Sequence, residues 1–211
     1  HGTIIGAAWK QLPSGLLYLD FVTDDYVGFG NVLNDVFAAV DGKFSYHCWV
    51  RRGAVGTEQH IVAKHDTANN QRGHLWRFNA DNTINFTVMF ALDASRYRGI
   101  KGTATIADIT TWHCLDVTYD GSLDTNDGLD RVKIYIDTVL DTTSMAATLG
   151  AIGDLVSNTA HLGWGASLNT SGAGYGGYNN ADMVLLGLTT GVRTQAEITA
   201  RRSQERSLFG V

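Results

Sequence analysis

"WHCLDVTYDGSLDTNDGLD", residues 112–130, changes character half-way along. In the first half Leu115, Val117 and Tyr119 alternate with Cys114, Asp116 and Thr118. That is the period of a strand with one apolar face. The second half holds Asp120, Asp124, Asp127 and Asp130 within eleven residues. Such a stretch suits a metal site, a sugar site, or simply the turn of a hairpin.

The alternation recurs in both directions. "GLLYLDFV" (15–22), "FSYHCWV" (44–50), "HIVAKH" (60–65), "HLWRFN" (74–79) and "TINFTVMF" (83–90) all read as strands, as do "CLDVTY" (114–119), "VKIYID" (132–137), "AHLGWG" (160–165) and "ADMVLLGL" (181–188). Turn residues separate them, as in "ADN" (80–82), "YDGS" (119–122) and "SGAGYGG" (171–177). Many short strands at hairpin spacing predict a sandwich or jelly roll. One helix is predicted. It opens at Thr194 with Glu197 three residues on, a capping box, and carries Arg201, Arg202 and Arg206 toward its negative end. A chain of 211 residues that is 44 % hydrophobic suits one domain and buries a core without staples.

Composition narrows the function. The net charge is −5, with no basic concentration to track phosphates, so nucleic acid is not expected as a partner. The longest apolar runs, such as "MVLLGL" (183–188), are far too short to span a bilayer, and no membrane insertion is expected. No signal-peptide pattern is present at the N-terminus, and the chain does not begin with Met, so the compartment is not legible there. Cys48 and Cys114 both fall in strand text, and two buried free thiols are expected rather than a bridge.

The order of phrases "DDYVGFG" (24–30), "KFSYHCWVRR" (43–52), "HIVAKHD" (60–66), "WHCLDVTYDGS" (112–122), "VKIYIDTVL" (132–140), "AHLGWG" (160–165) and "ADMVLLGLTTGVRTQAEI" (181–198) resembles the laminin G-like and pentraxin-like jelly roll of the concanavalin A-like lectin and glucanase superfamily. The resemblance implies an all-β fold, two antiparallel sheets in a β-sandwich jelly roll with a short C-terminal helix. It implies one domain over residues 1–211, with its core at about 15–200. Departures are visible. The family's F-D-G is Phe21-Val22-Thr23 here, the His of W-x-H is Cys114, and the N-G turn is Asp137-Thr138. The cysteines also do not fall where pentraxins place their disulfide.

The superfamily contains glycosidases and polysaccharide lyases. Glycoside hydrolysis of the retaining type needs two carboxyl groups about 5–5.5 Å apart. The chain has three Glu: Glu58 in loop text, and Glu197 and Glu205 on the terminal helix, so no strand carries the glucanase pair. The alginate-lyase pattern is also missing, and an enzyme is not expected. His1 could chelate copper at a mature N-terminus, but the rest of the chain does not resemble copper monooxygenases. His60 and His65, five apart on one strand, are expected on opposite faces and make poor co-ligands.

Binding residues are expected in three places. Relative to the family, "LDTNDGLD" (123–130) is an insertion. Its Asp124, Asn126, Asp127 and Asp130 offer hard oxygen ligands for Ca²⁺, although the same composition serves a solvated turn. A second oxygen cluster would use Asp24, Asp25 and Asp182. For a glycan, aromatic faces beside planar hydrogen-bonding groups point to Tyr175, Tyr178, Asn179 and Asn180, with Tyr97 and Arg98 as a further patch. Trp9, Trp49, Trp76, Trp112 and Trp164 are expected in the packing instead. The reading is a non-catalytic module that binds glycans or a cell-surface receptor. Its expected setting is a larger secreted or virion assembly, such as a phage tail or capsid appendage, at an extracellular or virion surface. The alternative is a structural jelly roll whose partners are other protein subunits, and the third is a polysaccharide-active enzyme.

Overall fold

A computed structural model describes residues 1–124 and 126–210, the side chains of Asn126 and Tyr175 excepted. The described residues form seventeen strands. In chain order these begin with β1 (Thr3–Ile5), β2 (Ala8–Gln11), β3 (Leu17–Phe21), β4 (Tyr26–Gly28), β5 (Lys43–Arg52) and β6 (Gln59–Asp66). There follow β7 (Gln71–Phe78), β8 (Thr83–Met89), β9 (Tyr97–Thr105), β10 (His113–Asp120), β11 (Val132–Ile136) and β12 (Val139–Leu140). The last are β13 (Thr143–Leu149), β14 (Leu162–Trp164), β15 (Ser167–Leu168), β16 (Gly174–Gly176) and β17 (Ala181–Thr190). Helix α1 (Asn34–Phe37) precedes β5, and α2 (Gln195–Glu205) follows β17.

Two antiparallel sheets face each other. One has the order β1-β4-β14-β6-β7-β8-β9-β13, the other β12-β11-β10-β5-β17-β3-β2. All nine strands read from alternation are present. The chain belongs to both sheets from its start: β1 edges the first, β2 edges the second, and Gly6 (φ 79°) turns between them. A Cβ at Gly6 would lie 1.8 Å from the Asp25 carboxylate, so only glycine fits this crossing.

Alternation sorts the residues between faces. Phe44, Tyr46, Cys48 and Val50 of β5 and Leu115, Val117 and Tyr119 of β10 point into the core, against Trp76, Phe78, Ile84 and Phe86 of the facing sheet. Trp49 and Cys114 point outward to a second apolar cluster with Tyr18, Trp112, Val184 and Phe209. The Phe209 ring stacks on Trp49 at 4.1 Å. Both cysteines are free thiols. They cannot bridge, because Cys48 and Cys114 lie on opposite faces of one sheet.

Helix α2 lies over that outward face. Its capping box forms as expected: Thr194 Oγ1 accepts from Glu197 N, and Thr194 N donates to Glu197 Oε2 at 2.7 Å. Four of the five tryptophans are buried. Trp9 is the exception at 59 % exposure, because β2 is an edge strand with no neighbour beyond it. Register shifts at His60/Val62 and Lys64/His65 bulge β6, so strict alternation does not by itself assign the faces of His60 and His65, and both are buried. No helix among the described residues is long and apolar enough to cross a membrane.

Burial makes two histidines acid-sensitive. His74, bonded to the Tyr46 hydroxyl at 2.8 Å, is pushed down to about 3 by burial and by Lys64 and His65. His65 is pushed down to about 4, chiefly by burial. Above the ordinary value of 6.5 neither state carries the proton, and the native advantage is complete. Below 6.5 the unfolded chain takes up protons that the native state refuses. Stability should therefore fall as the pH drops from about 6.5 toward 4, by up to about 1.4 kcal/mol per pH unit for each histidine. Chemical denaturation across this range checks it, and His74→Gln should flatten the slope.

Candidate recognition site

The segment after β14 forms the most elaborate surface. Gly165 (φ 87°) turns the chain where a Cβ would meet the Phe21 ring at 2.8 Å. The β15–β16 hairpin then folds back across β14, β4 and β6. Leu168 sits over Gly28 and Gly163, Ser167 Oγ pairs with His60 Nδ1 at 2.9 Å, and Thr170 N donates to Asp66 Oδ2 at 2.9 Å. The return is pinned as well. His60 N donates to Gly177 O at 2.7 Å and Asn179 N to Gly165 O at 2.7 Å. The Asn179 side chain donates to His60 O at 3.2 Å.

Beside this hairpin lies a cleft of about 300 Å³, lined by Thr3, Ile5, Tyr26, His161 and Ser171 with glycine backbone between them. Tyr178 adjoins Tyr26: a Cβ at Gly174 would come within 2.9 Å of both rings. Burial, with Asp24 and Tyr26 nearby, pushes the Tyr178 hydroxyl up, so it stays a neutral donor and acceptor.

The expected glycan residues are therefore divided. Tyr178 is not a lining residue of this cleft but lies beside its wall residue Tyr26. Asn179 is fully buried and stitches the loop to β6. The backbone of Tyr175 lies in β16, and its side chain is outside the described residues. Asn180 lines a different cleft of about 240 Å³ with Lys10, Tyr18, Asp20, Arg51 and Asp182. Register places Asp20, Asp182 and Arg51 side by side on β3, β17 and β5. Lys10 pairs with Asp20 at 2.5 Å, and Arg51 Nε donates to Asp182 at 2.8 Å. Burial and the contact with Asp20 push the Asp182 carboxyl up, against the pull of Arg51. The two aspartates are register partners on adjacent strands, and each already faces a cation.

Tyr97 and Arg98 lie at the opposite end of the first sheet, where Tyr97 pairs with Met89 and Leu149. Arg98 is 2 % exposed and faces inward to the insertion. Its guanidinium donates to Asp127 O (2.9 Å), Gly150 O (2.9 Å) and Leu149 O (3.2 Å), and pairs with Asp127 Oδ1 at 2.5 Å. Asp127 (φ 53°) and Gly128 (φ 82°) give the insertion its left-handed bend. Arg131 holds the other side, donating to Leu123 O and Gly153 O at 2.5 Å each, with Asp124 at 3.8 Å. Asp130 lines a cleft of about 490 Å³ with Leu129, Lys133 and Asp141, and the Asn126 side chain is outside the described residues. Two of the expected calcium ligands are thus already paired with arginines. Among the described residues, His47, Cys114 and Asp116 are the three side chains of ligand type whose donor atoms converge within 4.8 Å; neither aspartate cluster does.

Three features were not expected from the sequence. Tyr26 and His161 form the cleft walls. Glu58, His60 and Ser167 make a chain of contacts, with His60 Nε2 3.1 Å from Glu58, but Ser167 is 1 % exposed beneath the hairpin, out of reach of a substrate. Finally, Trp9 and Leu17 overhang an apolar groove of about 560 Å³ whose floor includes Leu19, Phe29, Trp164 and Met183.

A family model described as the concanavalin A-like lectin/glucanases superfamily, of the laminin G type, matches residues 21–199. The chain belongs to this superfamily. A search of curated protein sequences gives no match. Among solved structures the jelly roll is similar to the receptor-binding domain of botulinum neurotoxin C/D mosaic serotype, with a TM-score of 0.65 at 10 % identity, covering 97 % of this chain and 46 % of that one. It is likewise similar to the binding domain of serotype G, with a TM-score of 0.63 at 14 % identity, covering 98 % and 47 %. The chain thus spans about half the length of these structures. At such identities the likeness is one of fold.

The arginine contacts generate a direct test. Arg98→Ala removes a buried charge and strands several carbonyl oxygens, so it should destabilise the fold by about 2–4 kcal/mol in urea denaturation. Tyr178→Ala, at the other end, should cost well under half of that.

Proposed function

We propose that this superfamily member is a non-catalytic recognition module for a glycan or a cell-surface receptor. The observation that carries the reading is the cleft beside the β15–β16 hairpin. The Tyr26 ring stands among the polar groups of Thr3, His161 and Ser171, with Tyr178 on the adjoining hydrogen-bonded loop packed near the Tyr26 ring. Sugars bind such places through C–H faces on rings and hydroxyls on polar side chains. A site already ordered in the free protein loses little entropy on binding. Support also comes from the solved structures of similar fold, which are described as receptor-binding domains. Those chains are about twice as long, in keeping with a module displayed by a larger secreted or virion assembly at an extracellular or virion surface.

A second reading rests on the Trp9 groove. Its lining is apolar, which suits a protein subunit better than a sugar. In that case the chain is a structural jelly roll held in an assembly by its β2 edge.

A glycan array followed by calorimetry separates the two. On the first reading Tyr26→Ala and Tyr178→Ala each weaken binding about tenfold or more, which is about 1.4 kcal/mol, while Trp9→Ala leaves it unchanged. Absence of any glycan hit, together with subunit contacts abolished by Trp9→Ala, would favour the second. Calcium at residues 123–130 would have to compete with Arg98 for Asp127 and with Arg131 for Asp124. Added calcium is therefore expected to change neither the melting midpoint nor any glycan affinity.

A further inference from the structure

A second group of chemistry-bearing side chains lies between the outward face of the second sheet and α2. Register brings His47 of β5 opposite Asp116 of β10, with Cys114 two residues along on the same face. All three are buried, at 0–2 % exposure. His47 Nδ1 is 3.3 Å from Asp116 Oδ2 and 3.9 Å from Cys114 Sγ, and the sulfur is 3.7 Å from that oxygen. A triangle of these edges has a point about 2.1 Å from all three atoms, within the range of zinc bonds to nitrogen, oxygen and sulfur of about 2.0–2.3 Å.

We propose that His47 Nδ1, Cys114 Sγ and Asp116 Oδ2 are three ligands of a structural zinc-class metal site sealed beneath α2. The surrounding contacts fit that role. Glu205 of α2 accepts from His47 Nε2 at 3.0 Å. This is the carboxylate–histidine arrangement that turns the other ring nitrogen toward a metal. Trp49 Nε1 also donates to Glu205, at 2.7 Å. Glu205 thus accepts from both rings and ties α2 to the face that carries the cluster. Arg201 bonds Asp116 Oδ1 and leaves Oδ2 facing the sulfur and the ring.

The charges close. A divalent ion is neutralised by the Cys114 thiolate and the Asp116 carboxylate, while Glu205 and Arg201 balance each other outside them. The thiol proton leaves to solvent as the metal–sulfur bond forms, and no redox change occurs. Three protein ligands leave one position for water. Because β5, β10 and α2 all contribute, the ion would enter during folding and fasten the helix to the sheet.

The test uses the full chain, unfolded and refolded with Co²⁺ or Zn²⁺ in slight excess and then desalted. The expected result is one metal per chain, a thiolate-to-cobalt charge-transfer band in the near ultraviolet, and a melting midpoint several degrees above that of chain refolded with chelator. The chain has only two cysteines, so the band has two candidate sources. Cys48→Ala, on the opposite face, should keep it. Cys114→Ser should lose it and hold metal at least tenfold more weakly, and His47→Gln should weaken binding similarly. If either of these variants fails to refold, the band in Cys48→Ala alone assigns the thiolate to Cys114. Refolded wild type without the band, or metal retained equally by Cys114→Ser, overturns the proposal. The cluster is then a structural hydrogen-bond network that joins His47 to Asp116 and Glu205.

Discussion

The pairing of β5 with β10 is the constraint on which the rest of the structure depends. Both strands are buried on both faces. Inward they meet the facing sheet across Phe44, Tyr46 and Val117, and outward they meet α2 and the C-terminal turn. A strand sealed on both sides would ordinarily be apolar throughout. Here the outward positions include His47 and Asp116, whose desolvation would be costly without partners. Arg201 and Glu205 supply them from α2. At the start of β10, Asp137 and Asp108 hold the His113 imidazole above its ordinary value, and Arg202 of α2 reaches Asp137 at 3.4 Å. The helix is therefore a lid that the sheet's own polar residues require.

Polar side chains do two kinds of work at the two ends of the sandwich. At one end glycines and asparagines shape the 165–180 loop and bring rings to a cleft. At the other, arginines spend their hydrogen bonds on backbone carbonyls and hold an irregular insertion in a single form. Arg96 joins Arg98 and Arg131 there, bonding the carbonyls of Ala151 and Ile152. Side chains that look alike in a sequence, an Arg beside a Tyr or an Asp beside a Gly, thus serve ligand surface in one place and scaffold in the other.

Legibility followed the same division. Strands with clean alternation could be read directly, because one face had to be apolar. β9 could not: "YRGIKGTAT" has one large aliphatic residue, and its place in the sheet comes from β8 and β13 on either side. The small residues of β13 hide it similarly. The capping box was visible because its chemistry is local. The fate of Arg98 and Asp127 was not, because each needed the other, 29 positions away, to show which was ligand surface and which was staple. On β6 bulges break the two-residue repeat, so parity counting does not assign faces there. Trp9 misled because its strand is an edge, and an edge is a property of sheet order that no short window contains.

That edge bears on how such a chain stays apart from its copies. The seven-stranded sheet ends in β12, two residues long, and β2, four residues long. Open strands invite another chain to add on, and nature blunts them by shortening and by placing lysine there. Lys10 sits in β2, tied to Asp20 of its neighbour. Too few backbone groups remain at either margin to template an added strand. Crowded display, as on a repetitive surface, can then bring copies side by side without extension of this sheet, and the longer open margin of the molecule is β13, seven residues at the edge of the other sheet.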